Sequence, residues 1–177
     1  MRSQIYVDKT GLLEYTNFVL DTEQRLVCVS RPRRFGKSMA AEMLVSYYDK
    51  SCNSKELFQN LKIAESKEFE AHLNQYDVIY VDINSIKGAS SSGVETVENI
   101  QHFVIEELKE VYPKGVNDTD CKLPYVLMKI NKIYGTKFII LMNGIQYFGR
   151  IKQTKWHKKN ILIYFGGCLK MLHLKNF

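Results

Sequence analysis

The stretch that decides the predicted fold runs from Leu26 to Ser38 and reads Leu26-Val27-Cys28-Val29-Ser30, then Arg31-Pro32-Arg33-Arg34-Phe35-Gly36-Lys37-Ser38. Its first five residues are a short apolar, β-branched run, which predicts a buried strand. Residues 36–50 then predict a helix, whose apolar face consists of Met39, Ala40, Met43, Leu44 and Tyr47. The segment therefore predicts a strand, a basic loop and a helix in succession.

This succession is the setting in which the pattern G-x-x-x-x-G-K-[ST] binds the phosphates of a nucleotide. Gly36, Lys37 and Ser38 match the end of the pattern, and Arg31 stands where its first glycine belongs. A glycine lets the backbone approach phosphate oxygens, and the N–H groups of the loop and helix start hold the anion. The lysine supplies a positive charge to the β- and γ-phosphates, and the serine hydroxyl is suited to ligate Mg²⁺. The sequence thus predicts binding of ATP and Mg²⁺; the alternative is a basic surface loop that contains these three residues by chance.

The predicted nucleotide-binding residues extend to both sides of this triplet. Arg33 and Arg34 either add positive charge beside the phosphates or are solvated loop residues, and the sequence does not separate the two interpretations. The full predicted set is Arg33, Arg34, Phe35, Gly36, Lys37, Ser38 and Met39, with Ser38 also as the metal ligand. No catalytic residue is assigned.

The rest of residues 1–142 alternates between strand and helix patterns. Residues 78–83 and 137–142 predict two further buried strands, and residues 94–112 and 124–134 predict helices. The long helix has Val97, Ile100, Val104, Ile105, Leu108 and Val111 at helical spacing. The segment Pro113-Lys114-Gly115 ends it. Strands separated by helices predict an α/β fold, with a mostly parallel sheet covered on both faces.

The positive charge of the chain is concentrated at one end. Of 25 basic residues, seven lie in residues 143–177, which contain no acidic residue. The remaining 18 face all 19 acidic residues, so residues 1–142 carry a net charge of −1. The chain is therefore predicted to consist of a nearly neutral domain, residues 1–142, and a basic tail, residues 143–177.

Composition excludes several classes of protein. With 177 residues, 3 Pro and 10 Gly, the chain fits one ordinary domain and is neither collagenous nor of low complexity. No apolar run approaches the roughly 20 residues that span a bilayer, and Met1–Tyr6 lack a secretory signal. The four cysteines have neither C-x-x-C spacing nor metal-ligand spacing. A cytoplasmic protein with reduced thiols is expected.

Three segments resemble the bacterial AAA-ATPase-like family. They are Tyr6-Val7-Asp8-Lys9-Thr10, then Arg31 to Ser38, then Glu56-Leu57-Phe58 with Leu61-Lys62-Ile63. The resemblance covers residues 5 to about 142, and Arg31-Pro32-Arg33-Arg34-Phe35-Gly36-Lys37-Ser38 is that family's own form of the phosphate loop. It implies a P-loop domain that binds and hydrolyses ATP, with Tyr6 to Thr10 near the nucleotide. It also implies self-association, although no assembly surface is identified.

The acidic residues that ATP hydrolysis requires are missing. A P-loop ATPase needs an Asp for the Mg²⁺ shell and usually a Glu that orients water. The resemblance implies that these Walker B acids follow the third strand, where the chain has Asn143-Gly144-Ile145-Gln146 instead. Asp82 ends the second strand, and a role in a turn or cap is favoured there over metal binding. Hydrolysis is therefore expected to be lost.

The missing acids and the acid-free tail have one common explanation, a shift of reading frame after residue 142. Codons allowed for Leu141 to Gly149, when read from the third base of the first codon, can encode D-E-W-D-P-I-F-R. This places an acidic box where the resembled family has one. The hypothesis predicts that the protein is truncated and that residues 143–177 are translated out of frame.

Other interpretations of the tail remain open. Its lysines with Trp156, Tyr164 and Phe165 suit nucleic-acid binding. Residues 161–165 suit a core strand, and His157 and His173 are isolated candidate ligands without partners at metal spacing. A further functional alternative is an interaction module that binds a nucleotide, without turnover, as a structural switch. No partner other than a nucleotide is assigned, and no membrane contact is expected.

Overall fold

The computed structural model describes residues 7–30, 34–86, 93–144 and 160–166, and four strands form one sheet in the order β1-β4-β3-β2. The strands are β1 Leu26–Ser30, β2 Asp77–Asp82, β3 Phe138–Asn143 and β4 Asn160–Gly166. The helices are α1 Gly11–Val19, α2 Lys37–Tyr48, α3 Lys55–Phe58, α4 Phe69–His72, α5 Ile83–Ile86, α6 Gly93–Val111 and α7 Leu123–Tyr134. A 3₁₀ helix, Lys62–Glu65, lies between α3 and α4.

Three of the four strands run in the same direction. β2 and β3 pair in parallel, from Asp77 opposite Phe138 to Asp82 opposite Asn143. β4 pairs antiparallel with both β1 and β3, so β1 shares the direction of β3. The α/β class is confirmed. The sheet is less parallel than expected, because β4 separates β1 from β3, and within the described residues only β2 and β3 form a parallel pair.

Strand β3 is buried on both faces of the sheet. Ile139 and Leu141 belong to one hydrophobic cluster, and Phe138 and Ile140 belong to the other. Because successive side chains of a strand point to opposite faces, the continuous apolar run of β3 fills both clusters. The expected covering of both faces is confirmed at this strand.

The first cluster contains the buried face of α2. Its members from this helix are Ala41, Leu44, Tyr47 and Tyr48, and Ala40 is buried as well. The expected apolar face is wrong at Met39, which is 66% exposed. Tyr48 is buried instead. The buried positions 40, 41, 44, 47 and 48 form a helix face that is rotated by about one residue from the expected face.

The second cluster is formed by α6 and α7 against the other face of the sheet. The buried apolar side chains of α6 are Ile100, Val104, Ile105 and Leu108, as expected. Val111 is 65% exposed, because the helix ends there and a turn over residues 113–115 follows. The predicted boundaries of α6 and α7 are each confirmed to within a residue or two.

The two edge strands are less buried than expected. In β1, Val27 is buried but Leu26 is 50% exposed and Cys28 is exposed. In β2, Val81 is buried and Tyr80 is 41% exposed. Each is the outermost strand on its side of the sheet, so helices cover it less completely than they cover β3.

The apolar residues 161–165 lie in β4, as in the core-strand interpretation of the tail. Asn160 pairs with Ser30 and Ile161 pairs with Asn143. The predictions for Tyr6, Arg33, Trp156, His157 and His173 fall outside the described residues. Among the residues that are described, no helix has the length and apolar character needed to cross a bilayer.

Candidate functional site

The carboxyl ends of β1, β2 and β3 lie at the same edge of the sheet because these strands run in the same direction. They end at Ser30, Asp82 and Asn143. Neighbouring strands are about 4.8 Å apart, so the strand order places the end of β3 about 10 Å from β1 and the end of β2 about 14 Å from it. The end of β1 is therefore closer to Asn143 than to Asp82.

Two of the three described residues of the loop between β1 and α2 have left-handed backbone conformations. Arg34 has φ 68° and Gly36 has φ 70°. For a residue with a side chain this conformation costs roughly 1–2 kcal/mol, whereas glycine adopts it freely. Left-handed residues in such turns point successive N–H groups to one side, which is the geometry of an anion-binding concavity.

Helix α2 begins directly after this turn. Gly36 is its N-cap and has no capping side chain, and the first helical hydrogen bond runs from the N–H of Ala40 to the carbonyl of Gly36, 3.0 Å away. The N–H groups of Lys37, Ser38 and Met39 precede this bond, at the positive end of the helix dipole. Ser38 and Met39 are exposed and Lys37 is half-buried.

A second lysine reaches the loop from a distant part of the sequence. The Nζ atom of Lys9 lies 3.1 Å from the position that a Cβ atom at Gly36 would occupy. A glycine at position 36 thus permits both the backbone conformation and the close approach of the Lys9 ammonium group. Lys9 thus approaches a loop whose own sequence supplies Arg34 and, at the start of α2, Lys37.

Lys9 lies in the middle of a short segment, Asp8 to Thr10, which we call the Asp8–Thr10 strap. The carboxylate of Asp8 accepts hydrogen bonds from the N–H and hydroxyl of Thr10, at 2.8 and 2.7 Å, and from the N–H of Lys62 at 2.8 Å. The hydroxyl oxygen of Thr10 accepts the N–H of Ile63 at 3.2 Å. The strap therefore caps the start of the 3₁₀ helix.

These hydrogen bonds set the charge state of Asp8. Burial alone would raise the pKa of its carboxyl, but the N–H groups of Lys62 and Thr10, the Thr10 hydroxyl and the positive charge of Lys62 together lower that pKa below its usual value of 3.8. Hydrogen bonds to the ionised form favour it over the protonated form. The strap thus depends on an ionised Asp8.

Buried hydroxyl and amide groups connect α1, which follows the strap, to α2. Asn17 donates to the Tyr47 hydroxyl at 3.0 Å, and Tyr47 donates to the carbonyl of Phe69 at 3.0 Å. The Tyr48 hydroxyl donates to Oδ1 of Asn17 at 2.7 Å and contacts the Thr16 hydroxyl at 2.7 Å. Burial raises the pKa of Tyr47 to about 12, so its hydroxyl stays protonated and available as a donor.

No acidic side chain follows β3. Asn143 ends the strand, and its side chain is hydrogen-bonded to the hydroxyl of Tyr80 on the neighbouring strand. Asp82 pairs in register with Asn143 and directly precedes α5. Within the described ranges, no group of three or more His, Cys, Asp or Glu side chains is arranged to hold a metal ion.

The predicted site residues from Arg34 to Met39 are contiguous at the carboxyl edge of β1, whereas Arg33 lies outside the described residues. The sequence motif did not identify Lys9 as a neighbour of Gly36. The available signal was the Tyr6-Val7-Asp8-Lys9-Thr10 segment, which the family resemblance placed near the nucleotide without giving any of its residues a role. The hydrogen bonds to the backbone at Lys62 and Ile63 carry no signal in the sequence.

Comparison with known proteins gives a family but no individual relative. Neither a curated protein nor a solved structure matches the chain. The family AAA-ATPase-like, whose description is "Predicted AAA-ATPase", matches residues 1–162. This range includes the Asp8–Thr10 strap, the loop before α2 and all of β3, and it supports a nucleotide-binding role of the ATPase type. The chain belongs to the AAA-ATPase-like family.

Proposed function

We propose that this protein is a P-loop-type domain that binds ATP with Mg²⁺ through Gly36, Lys37 and Ser38 and does not hydrolyse it efficiently. The observation that carries the proposal is the left-handed turn at Arg34 and Gly36, which leads directly into α2 with Lys37 and Ser38 in the first turn. Family membership supports the same class of ligand.

The residues at the loop fit a polyphosphate. Gly36 has no side chain to fill the turn, and the N–H groups at the start of α2 precede the first helical hydrogen bond. Lys9, Arg34 and Lys37 supply positive charge on the same loop. Backbone donors combined with lysine are the groups that bind nucleotide phosphates in such loops.

The same residues offer less to a metal ion. The hydroxyl of Ser38 is exposed in the first turn of α2 and is suited to ligate Mg²⁺ together with the phosphates. Strand β3 ends in Asn143, which Gly144 follows, rather than in carboxylates. Bound Mg²⁺ would neutralise phosphate charge, but no carboxylate at the end of β3 is available to orient an attacking water.

Nucleotide binding is tested by titrating the full chain with ATP and Mg²⁺ in a calorimeter. Lys37→Met removes the proposed phosphate ligand, and we expect affinity to fall by about tenfold or more. Lys67→Met is the matched control, because it removes the same charge from an exposed turn at residue 67. Equal affinities for the wild type and both variants would refute the assignment of Lys37.

Turnover is tested separately by measuring phosphate release from ATP. We expect the wild type to release no more phosphate than Lys37→Met does. ATP hydrolysis by the wild type that Lys37→Met abolishes would contradict the proposed loss of catalysis while leaving nucleotide binding supported. Self-association and nucleotide-dependent capture of a partner remain predictions of the sequence and are not needed by this proposal.

A further inference from the structure

The ammonium group of Lys9 lies against the loop to which ATP binding is assigned. We infer that Lys9 is a second phosphate-binding lysine, which donates hydrogen bonds to the phosphate chain of the nucleotide at Gly36, and that Asp8 is a positioning residue for it. This inference rests on the proposed function, since it adds a ligand to the same site.

The first argument is the distance. Lys9 Nζ is 3.1 Å from the position that a Cβ atom at Gly36 would occupy. In the described chain no other heavy atom lies within 4 Å of that position, leaving aside the residues next to Gly36 in sequence and the backbone of α2. The amine therefore occupies the space that a side chain at position 36 would take. A group held so close to the loop backbone is within reach of an anion that the loop binds.

The second argument is the rigidity of the backbone at Lys9. Both neighbours of Lys9 are tied to the 3₁₀ helix, Asp8 through the N–H of Lys62 and Thr10 through the N–H of Ile63. The carbonyl of Lys9 accepts the N–H of Leu12 at 3.1 Å, which fixes it to the start of α1. The side chain thus starts from a fixed point, so less conformational entropy is lost when it binds a ligand.

The third argument is charge. In the described part of the chain, neither Lys9 nor Arg34 has a carboxylate within salt-bridge distance, whereas Lys50 pairs with Asp77 and Lys129 pairs with Asp120. Cations grouped without counter-charges raise the local concentration of anions and repel one another when none is bound. A bound polyphosphate would relieve this repulsion.

The test compares ATP affinities of four full-length proteins: the wild type, Lys9→Met, Lys9→Arg and Lys67→Met. We expect Lys9→Met to weaken ATP binding about tenfold, because a charge-assisted hydrogen bond is lost. Lys9→Arg retains the charge and should bind within about threefold of the wild type. Lys67→Met should bind like the wild type, because it lowers the net charge equally at an exposed turn outside the loop and the strap.

A melting curve without nucleotide separates this role from a structural one. Lys9 is exposed, so Lys9→Met is expected to melt at the wild-type temperature. A lower melting temperature together with unchanged ATP affinity would overturn the inference. Equal affinities of Lys9→Met and Lys67→Met, with Lys37→Met weakened, would overturn it and leave the proposed function standing. If the wild type binds no ATP, both fail.

The role of Asp8 has its own readout. Asp8→Asn removes a carboxylate whose oxygens accept three hydrogen bonds, two from Thr10 and one from Lys62. We expect its ATP affinity to fall, and the further loss caused by adding Lys9→Met to be less than twofold, because a lysine that is no longer positioned contributes little. Additive losses from Asp8→Asn and Lys9→Met would contradict the positioning role.

Discussion

The hydroxyl of Tyr48 donates a hydrogen bond to Oδ1 of Asn17, 2.7 Å away, and joins α2 to α1 in the interior. Tyr48 is 0% exposed and Asn17 is 5% exposed. Because α1 follows the Asp8–Thr10 strap and α2 follows the loop, this contact helps to fix the two segments that bring Lys9 to Gly36. Burial raises the pKa of Tyr48, so the hydroxyl remains a donor across the accessible pH range.

Tyr48→Phe is expected to destabilise the protein by about 1–3 kcal/mol, since it leaves a buried acceptor on Asn17 without its donor. Urea unfolding at neutral pH measures this change. Tyr15→Phe on α1 is the control. Tyr15 is 52% exposed, so water can hydrogen-bond to any group that loses contact with its hydroxyl. Equal midpoints for the two variants would contradict the structural role of Tyr48.

Gly115→Ala is expected to cost about 1–3 kcal/mol, because the turn after α6 packs directly on α7. A Cβ atom at position 115 would lie 2.6 Å from Cγ1 and 3.4 Å from Cα of Ile130. Gly11→Ala is the matched control: it stands at the start of α1 with nothing within 4 Å of the added atom, and it should be neutral or slightly stabilising. Thermal unfolding of both variants measures the difference. A Gly115→Ala protein as stable as Gly11→Ala would contradict the close packing of Gly115 on Ile130.

Gly36→Ala tests the loop by itself. The left-handed conformation at φ 70° and the contact with Lys9 Nζ predict a loss of about 1 kcal/mol of stability and a clear loss of ATP affinity. Gly135→Ala has the same backbone strain, at φ 69° at the end of α7, with nothing within 4 Å of the added atom. We expect similar destabilisation of the two variants and weaker ATP binding for Gly36→Ala alone. Unchanged binding by Gly36→Ala would argue against this loop as the nucleotide site.

The lowered pKa of Asp8 predicts a pH dependence. A carboxyl whose pKa is lower in the folded than in the unfolded protein stabilises the fold fully above its usual value of 3.8, and this contribution is lost as the pH falls below 3.8 through the pKa of the folded state. Asp8→Asn should therefore be less stable than the wild type at pH 6, and the difference should shrink as the pH falls towards 3. Urea midpoints at pH 6, 4 and 3 measure it. A difference that does not change with pH would show that Asp8 is not ionised in the strap.

The frameshift hypothesis for residues 143–177 predicts a result at the level of DNA. Sequencing of the genomic DNA across codons 136–177 should reveal an insertion or deletion near codon 141 that restores D-E-W-D and an open frame. The family match extends to residue 162, and β4 begins at Asn160. A confirmed frame with no acidic box in either other frame would refute the hypothesis, and β4 would then be a genuine strand of a non-hydrolysing protein.

The sequence by itself determined the elements whose pattern is local. The apolar run of β3, the helical spacing of α6 and α7, and the glycine, lysine and serine at the start of α2 are all visible without a structure. Local periodicity and motif spacing suffice to predict these elements, because the elements depend on residues close to one another in the sequence. The same local information failed at Met39, Leu26 and Tyr80, whose exposure depends on which elements lie across from them.

The tertiary structure alone decided the relationships between residues far apart in the chain. Among the described strands, the order made β1 and β2 the edges and placed Asn143 rather than Asp82 nearer to the end of β1. The approach of Lys9 to Gly36 depends on a strap whose partners are backbone N–H groups, and every residue type except proline offers that donor. No residue pattern encodes such a contact, so only the folded chain shows that a second lysine stands at the loop.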